Sequence, residues 1–156
     1  MKRLFWIAAC AALTAGCGGG PVSRETRISE DVDQNVRDAE TRAQESRTLS
    51  SLAKIEESVA TYVKTEKSIP ESLDQLIPKY LAEVPPVEIG VRWHRDTALV
   101  KVYPETILRD GQIDGSQLKD TGRWGYVHNE RQVVVFIDCT HQSRQGHPWY
   151  QTHGAY

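Results

Sequence analysis

The sequence lacks an apolar run long enough to cross a bilayer. Its most apolar stretch, Leu4 to Gly16, is 13 residues, against about 20 needed to span ~30 Å of hydrocarbon as a helix. It also lacks a block of like charge. With 19 Lys and Arg against 21 Asp and Glu in 156 residues, neither nucleic acid nor an anionic lipid surface is implied as a partner. No nucleophile elbow, HExxH motif, P-loop or dinucleotide fingerprint occurs. The chain is therefore expected not to be an enzyme and to carry no cofactor, and no catalytic, cofactor-binding or metal residue is assigned. Cysteine is scarce: Cys10, Cys17 and Cys139. Proline and glycine are missing altogether from residues 22 to 66, which leaves that segment free to form one long helix.

What is present at the N-terminus is a pattern. Lys2 and Arg3 precede the apolar run Leu4 to Ala12, and small residues lead on to Cys17. A charged start, a short apolar stretch and small residues at its end read as a secretory signal rather than a spanning helix. Leu13-Thr14-Ala15-Gly16-Cys17 resembles the lipobox of bacterial lipoproteins. The resemblance implies cleavage before Cys17, diacylglycerol on its thiol and acylation of its new amine, with Leu13 in the apolar subsite of the peptidase and Gly16 at the scissile bond. Two or three acyl chains anchor stably where one is marginal. The expected partner of residue 17 is thus a bacterial membrane, and the folded part faces the periplasm or exterior. Position 18 is Gly rather than Asp, which by the same likeness favours the outer membrane.

Four parts follow: a signal over 1–16, a lipidated flexible linker over 17–26 that contains Gly18-Gly19-Gly20-Pro21, a long amphipathic helix over 27–66, and an α+β headpiece over 67–156 with a polar C-terminal tail. Loss of Lys2 and Arg3 leaves 17 basic against 21 acidic side chains, a formal −4. Cys139 is then the single cysteine without an assigned role, so no intramolecular disulfide is available and packing must hold the headpiece together.

In the helix, Ile28, Val32, Val36, Ala39 and Ala43 recur every three or four positions and mark a narrow apolar stripe. It continues through Leu49, Leu52, Ile55, Val59 and Val63. About 38 residues at 1.5 Å each would reach about 57 Å, more than a domain this size needs. The polar first half suits a solvated stalk or a coiled coil with itself or a partner helix; the second half should face the core. Three serines between 46 and 51 suggest a break there.

Pro70 can open a short helix whose Leu73, Leu76 and Ile77 pack inward, and Val84-Pro85-Pro86-Val87 is extended. Beyond it the period changes to two. Val91-Arg92-Trp93-His94, residues 98–103, Arg123-Trp124-Gly125-Tyr126-Val127 and Val133-Val134-Val135-Phe136-Ile137 read as strands, the last two joined as a hairpin. Asp110-Gly111 and Asp114-Gly115 mark turns. A long helix followed by a small antiparallel sheet is an α+β arrangement.

Residues 68–84, SIPESLDQLIPKYLAEV, resemble the segment after the long helix of type IV pilins and type II secretion pseudopilins. Thr121-Gly122-Arg123-Trp124-Gly125-Tyr126, then Phe136-Ile137-Asp138-Cys139-Thr140-His141, then Pro148-Trp149-Tyr150 are similar in order and spacing to the C-terminal part of a bacterial pilin-like group. The likeness covers about residues 47 to 152. It implies a pilin-like headpiece acting through protein contacts, as an accessory to a secretion or pilus machine. One departure matters: pilins begin with an apolar helix that enters the membrane and then the filament core, whereas residues 23–48 here are polar. The lipid on Cys17 would stand in for that anchor.

Two sets of side chains have ligand chemistry. Cys139, His141, His147 and His153 could supply thiolate and imidazole to zinc, and a metal- or ligand-binding envelope protein built on this Cys139–His153 cluster is the alternative function. The reading adopted makes Cys139 a small buried residue at a strand end and places the later histidines in the tail. Pseudopilins bind calcium near their last strands, and Asp110, Asp114, Asp120 and Asp138 carry hard oxygens; their spacing matches no calcium motif, so they are read as turn formers. Glu56-Glu57 and Glu25 with Glu30-Asp31 read as solvated helix faces. Trp93, Trp124, Tyr126, Trp149 and Tyr150 read as packing for a thin sheet.

Overall fold

The computed structural model describes residues 24–152 apart from Arg92, with side chains of the helix from Ser29 onward. The chain divides into two compact units, Met1–Gln34 and Asn35–Tyr156. In the first, the described residues are helical, and their side chains from Ser29 are exposed. The signal over 1–16, Cys17 and the linker as far as residue 23 lie outside the described residues, whereas Arg24, Glu25 and Thr26, expected in the linker, already belong to the helix.

Helix α1 runs from Arg24 to Glu66 without interruption. The expected break at the serines is absent, and local hydrogen bonding explains why. Ser50 Oγ donates to the Ser46 carbonyl at 2.9 Å, and Ser58 and Thr61 return to the carbonyl four residues back in the same way. A hydroxyl that bonds within its own helix no longer competes with it. The helix closes at Lys67, which adopts φ 57. No described helix is long and apolar enough to cross a membrane.

The class is α+β, as the sequence implies. Strands β1 (Val100–Tyr103), β4 (Trp124–His128) and β5 (Val133–Ile137) form one sheet in the order β1-β4-β5, and β2 (Leu108–Arg109) with β3 (Gln112–Ile113) forms a separate hairpin. The sheet is mixed, not antiparallel throughout. β4 and β5 pair antiparallel, but β1 lies parallel to β4, with Val100 opposite Trp124. A parallel neighbour requires a crossover of a dozen or more residues, and residues 104–123 supply it. Asp110 (φ 51) and Gly111 (φ 78) form the two-residue turn between β2 and β3, the positive-φ pair that a tight hairpin prefers.

Both faces of β4 and β5 are buried, which accounts for the unbroken apolar run of β5. One face, with Trp124, Tyr126, Val133, Val135 and Ile137, packs on Leu52, Ile55 and Val59 of α1 and on Leu73, Leu76 and Leu81. The other, with Val127, Val134 and Phe136, packs on Tyr103, Ile107 and Ile113. Polar atoms buried along this core are matched. Trp124 Nε1 donates to the Pro85 carbonyl at 2.7 Å, and Tyr126 Oη donates to the Pro70 carbonyl. Thr48 Oγ1 donates to the Glu88 carbonyl at 2.7 Å and accepts from the Glu88 N–H at 2.6 Å.

Three local expectations need correction. Ile77 is exposed, because only Leu73–Leu76 forms a 3-10 helix and the chain turns outward after it. Val91, Trp93 and His94 form a turn, not a strand: the His94 N–H donates to the Val91 carbonyl at 2.9 Å, and Trp93 stands 74% exposed. The segment after β5, expected to end in a polar tail, packs back on the fold as far as Trp149 and Tyr150. Trp149 is buried in the main core, and the Trp149 and Tyr150 N–H groups donate to the carbonyls of His141 and Cys139.

Candidate metal centre

Three stretches of chain meet beyond the end of β5. Cys139 and His141 lie just past the strand, Asp120 lies in the turn that enters β4, and His94 lies in the loop spanned by the Val87–Thr97 bridge. One potential ligand atom from each of these four side chains falls within 4.8 Å of all the others. Cys139 Sγ is 3.4 Å from His141 Nδ1, His94 Nε2 is 3.5 Å from Asp120 Oδ1, and His141 Nδ1 is 3.6 Å from Asp120 Oδ2. The two imidazoles meet edge to face, with centroids 5.3 Å apart.

A frame of hydrogen bonds holds the turn at Asp120 in place. The buried Asp138 carboxylate accepts from the N–H groups of Asp120 and Thr121 at 3.1 and 3.2 Å, and from the Thr121 hydroxyl. The Gly122 N–H donates to the Asp138 carbonyl at 2.8 Å. Together these set Asp120 at φ 52 and Gly122 at φ 69. Gly122 is required twice, since a Cβ there would also sit 2.6 Å from the His94 ring. Asp120 Oδ1 in turn accepts from the Thr140 N–H at 2.8 Å.

The two acidic groups of the cluster shift in opposite directions. Burial works against the ionised Asp120 carboxyl, but the Thr140 N–H and the His141 and His94 imidazoles outweigh it and hold the group below the usual carboxylate range. Burial pushes the Cys139 thiol up to about 12; the backbone N–H of His141 favours the thiolate, while the Asp120 and Asp138 carboxylates oppose it. His94 Nε2 is buried and makes no hydrogen bond, although Asp120 Oδ1 lies 3.5 Å away. Buried polar atoms without a partner are rare, and each costs roughly 1–3 kcal/mol.

This arrangement divides the residues singled out in the sequence. Cys139 and His141 come together; His147 is exposed in a turn outside the group, and His153 lies outside the described residues. Asp110 and Asp114 stay at the β2–β3 hairpin, where Asp114 accepts from the Ser116 N–H and hydroxyl. The four aspartates therefore form no common oxygen cage. His94 was not a sequence candidate, and Asp120 was one only for calcium. The Cys-x-His spacing could have exposed half of the set; nothing local to His94 marks the other half.

Elsewhere, an apolar groove of about 310 Å³ runs between α1 and β5, lined by Val59, Val63, Ile69, Val133 and Val135. No family model matches the chain, and no characterised protein or solved structure shows significant similarity to it.

Proposed function

We propose that the chain is a lipid-anchored protein of the bacterial cell envelope whose pilin-like headpiece acts by binding other proteins, not by catalysis. Its place would be as an accessory to a type II secretion or type IV pilus machine. The observation that carries this reading is the N-terminal tract: a basic start, a short apolar run and Leu13-Thr14-Ala15-Gly16-Cys17. Lipid on Cys17 would hold a polar helix at a membrane that the helix itself cannot enter. The α+β arrangement of a long helix against a small sheet agrees with the pilin likeness of residues 47 to 152, although a shared arrangement alone does not determine function. Exposed apolar side chains, Val32 and Val36 on α1 and Trp93 on its loop, suit a role in protein contacts.

Cys17→Ser expressed in a bacterial host is the test. The parent chain should carry the mass of its acyl groups and sediment with membranes, and the variant should lose both properties. An unchanged mature mass and unchanged fractionation would overturn the anchor. Crosslinking in the native envelope would then identify the partner.

A further inference from the structure

We propose that His94, Asp120, Cys139 and His141 bind one zinc(II) ion as a closed structural site. The ligands would be His94 Nε2, one Asp120 carboxylate oxygen, Cys139 Sγ and His141 Nδ1.

The spacing is close to that of a tetrahedral shell. Zinc bonds of about 2.0–2.1 Å to nitrogen or oxygen and about 2.3 Å to sulfur place neighbouring ligand atoms about 3.3–3.6 Å apart. The Cys139 Sγ–His141 Nδ1 separation of 3.4 Å is such an edge, and the Asp120 carboxylate reaches both imidazoles at this range, with Oδ1 3.5 Å from His94 Nε2 and Oδ2 3.6 Å from His141 Nδ1. No remaining edge exceeds 4.8 Å, so modest side-chain rotation closes the set. A second, independent observation points to a ligand as well. Only 7% of the His94 side chain is exposed, yet its Nε2 has no hydrogen-bond partner and is aimed into the cluster. A cation at the centre gives this nitrogen its partner.

Donor chemistry selects the metal. A thiol and two imidazoles are unsuited to calcium or magnesium, which take oxygen. Blue-copper sites pair a His2Cys plane with a weak, distant axial group; here the fourth donor is a carboxylate at the same range as the imidazoles. Four protein donors fill a tetrahedral shell, the signature of a structural zinc site and not a catalytic one. Thiolate and carboxylate together neutralise the ion. The supporting groups are already in place, with Asp120 oriented by the Thr140 N–H and its turn held by Asp138; such outer partners strongly affect affinity. Asp120 and His141, whose side chains are 35% and 38% exposed, give the ion a way in.

The test uses the full-length chain in detergent with Cys10 and Cys17 replaced by Ser, leaving Cys139 as the one thiol. Metal-free protein is titrated with zinc(II) and, separately, with cobalt(II), whose thiolate charge-transfer and tetrahedral ligand-field bands report the donor set. The expected result is one metal per chain and a cobalt–thiolate band that Cys139→Ser abolishes. Affinity should fall at least about tenfold in His94→Ala and in His141→Ala, while His147→Ala leaves it unchanged. His141 is partly exposed and Asp120→Asn keeps an acceptor for Thr140, so these two variants serve if His94→Ala does not fold. Failure of the folded chain to take up zinc would overturn the site. So would affinity that survives both His141→Ala and Asp120→Asn, or that disappears in His147→Ala. Selective copper(II) uptake with intense blue absorption and no zinc retention would overturn the choice of metal.

Discussion

Thr48 is wholly buried on α1, and its single hydroxyl serves both the N–H and the C=O of Glu88. Replacing Thr48 with Val keeps the branched shape and adds apolar character, so burial alone would leave stability unchanged or raise it. The hydrogen-bond pattern gives the opposite sign. Removing the hydroxyl strands two partly buried backbone groups at roughly 1–3 kcal/mol each. Since Glu88 keeps some access to water, a total of about 2–4 kcal/mol is expected. Thr48→Ser keeps the hydroxyl and loses one methyl, at about 1 kcal/mol. The two residues differ little in helix propensity, so the comparison isolates the hydroxyl. Urea unfolding followed by circular dichroism should show the Val variant less stable than the Ser variant by about 1–3 kcal/mol, with the slope m unchanged. A Val variant as stable as the parent would refute the reasoning, because the Glu88 groups would then have other partners.

The remaining predictions concern the sheet and the crossover. A Cβ on Gly125 would lie 2.3 Å from the ring of its cross-strand partner Phe136, which is fully buried, so Gly125→Ala should cost about 1–3 kcal/mol from overpacking. Adding Phe136→Leu should recover part of that loss in a double-mutant cycle, and strictly additive effects would exclude the clash as its cause. Asp114 is held down to about 2 by the Ser116 hydroxyl, the Gln117 amide and the Ser116 N–H, with help from Arg109. A depressed carboxyl stabilises the fold above its ordinary value near 3.8 and loses that contribution as pH falls through its folded one. The thermal advantage of the parent over Asp114→Asn should therefore shrink between about pH 4 and 2, and an Asp114 carboxyl NMR midpoint near 4 would refute the assignment.

Helix α1 was legible because its apolar positions repeat at helical spacing with no proline or glycine between them. Its continuity through the serines was not, since back-bonding to the preceding turn cannot be seen in composition. Strands β4 and β5 were marked by branched and aromatic runs and a polar connection. The parallel placement of β1 depends on where the crossover of residues 104–123 packs, and the turn at Val91, Trp93 and His94 goes with the close approach of His94 to Gly122, which comes much later in the chain. In the candidate centre, Cys139 and His141 lie two positions apart and invite attention. His94 and Asp120 join them only through the Asp138 network and the left-handed turn at Gly122, neither of which leaves a periodic trace.

Because β1 lies parallel to β4, their pairing waits until the whole crossover of residues 104–123 has been made. The β4–β5 hairpin needs only the turn at Asn129, and α1 needs only its own backbone. The Leu52, Ile55 and Val59 stripe, however, waits for Val133, Val135 and Ile137, which come near the end of the chain. Pairing at such sequence separation is slow. A polypeptide emerging N-terminus first therefore leaves this apolar stripe uncovered until its last strand arrives, and that interval is when it is most open to premature association.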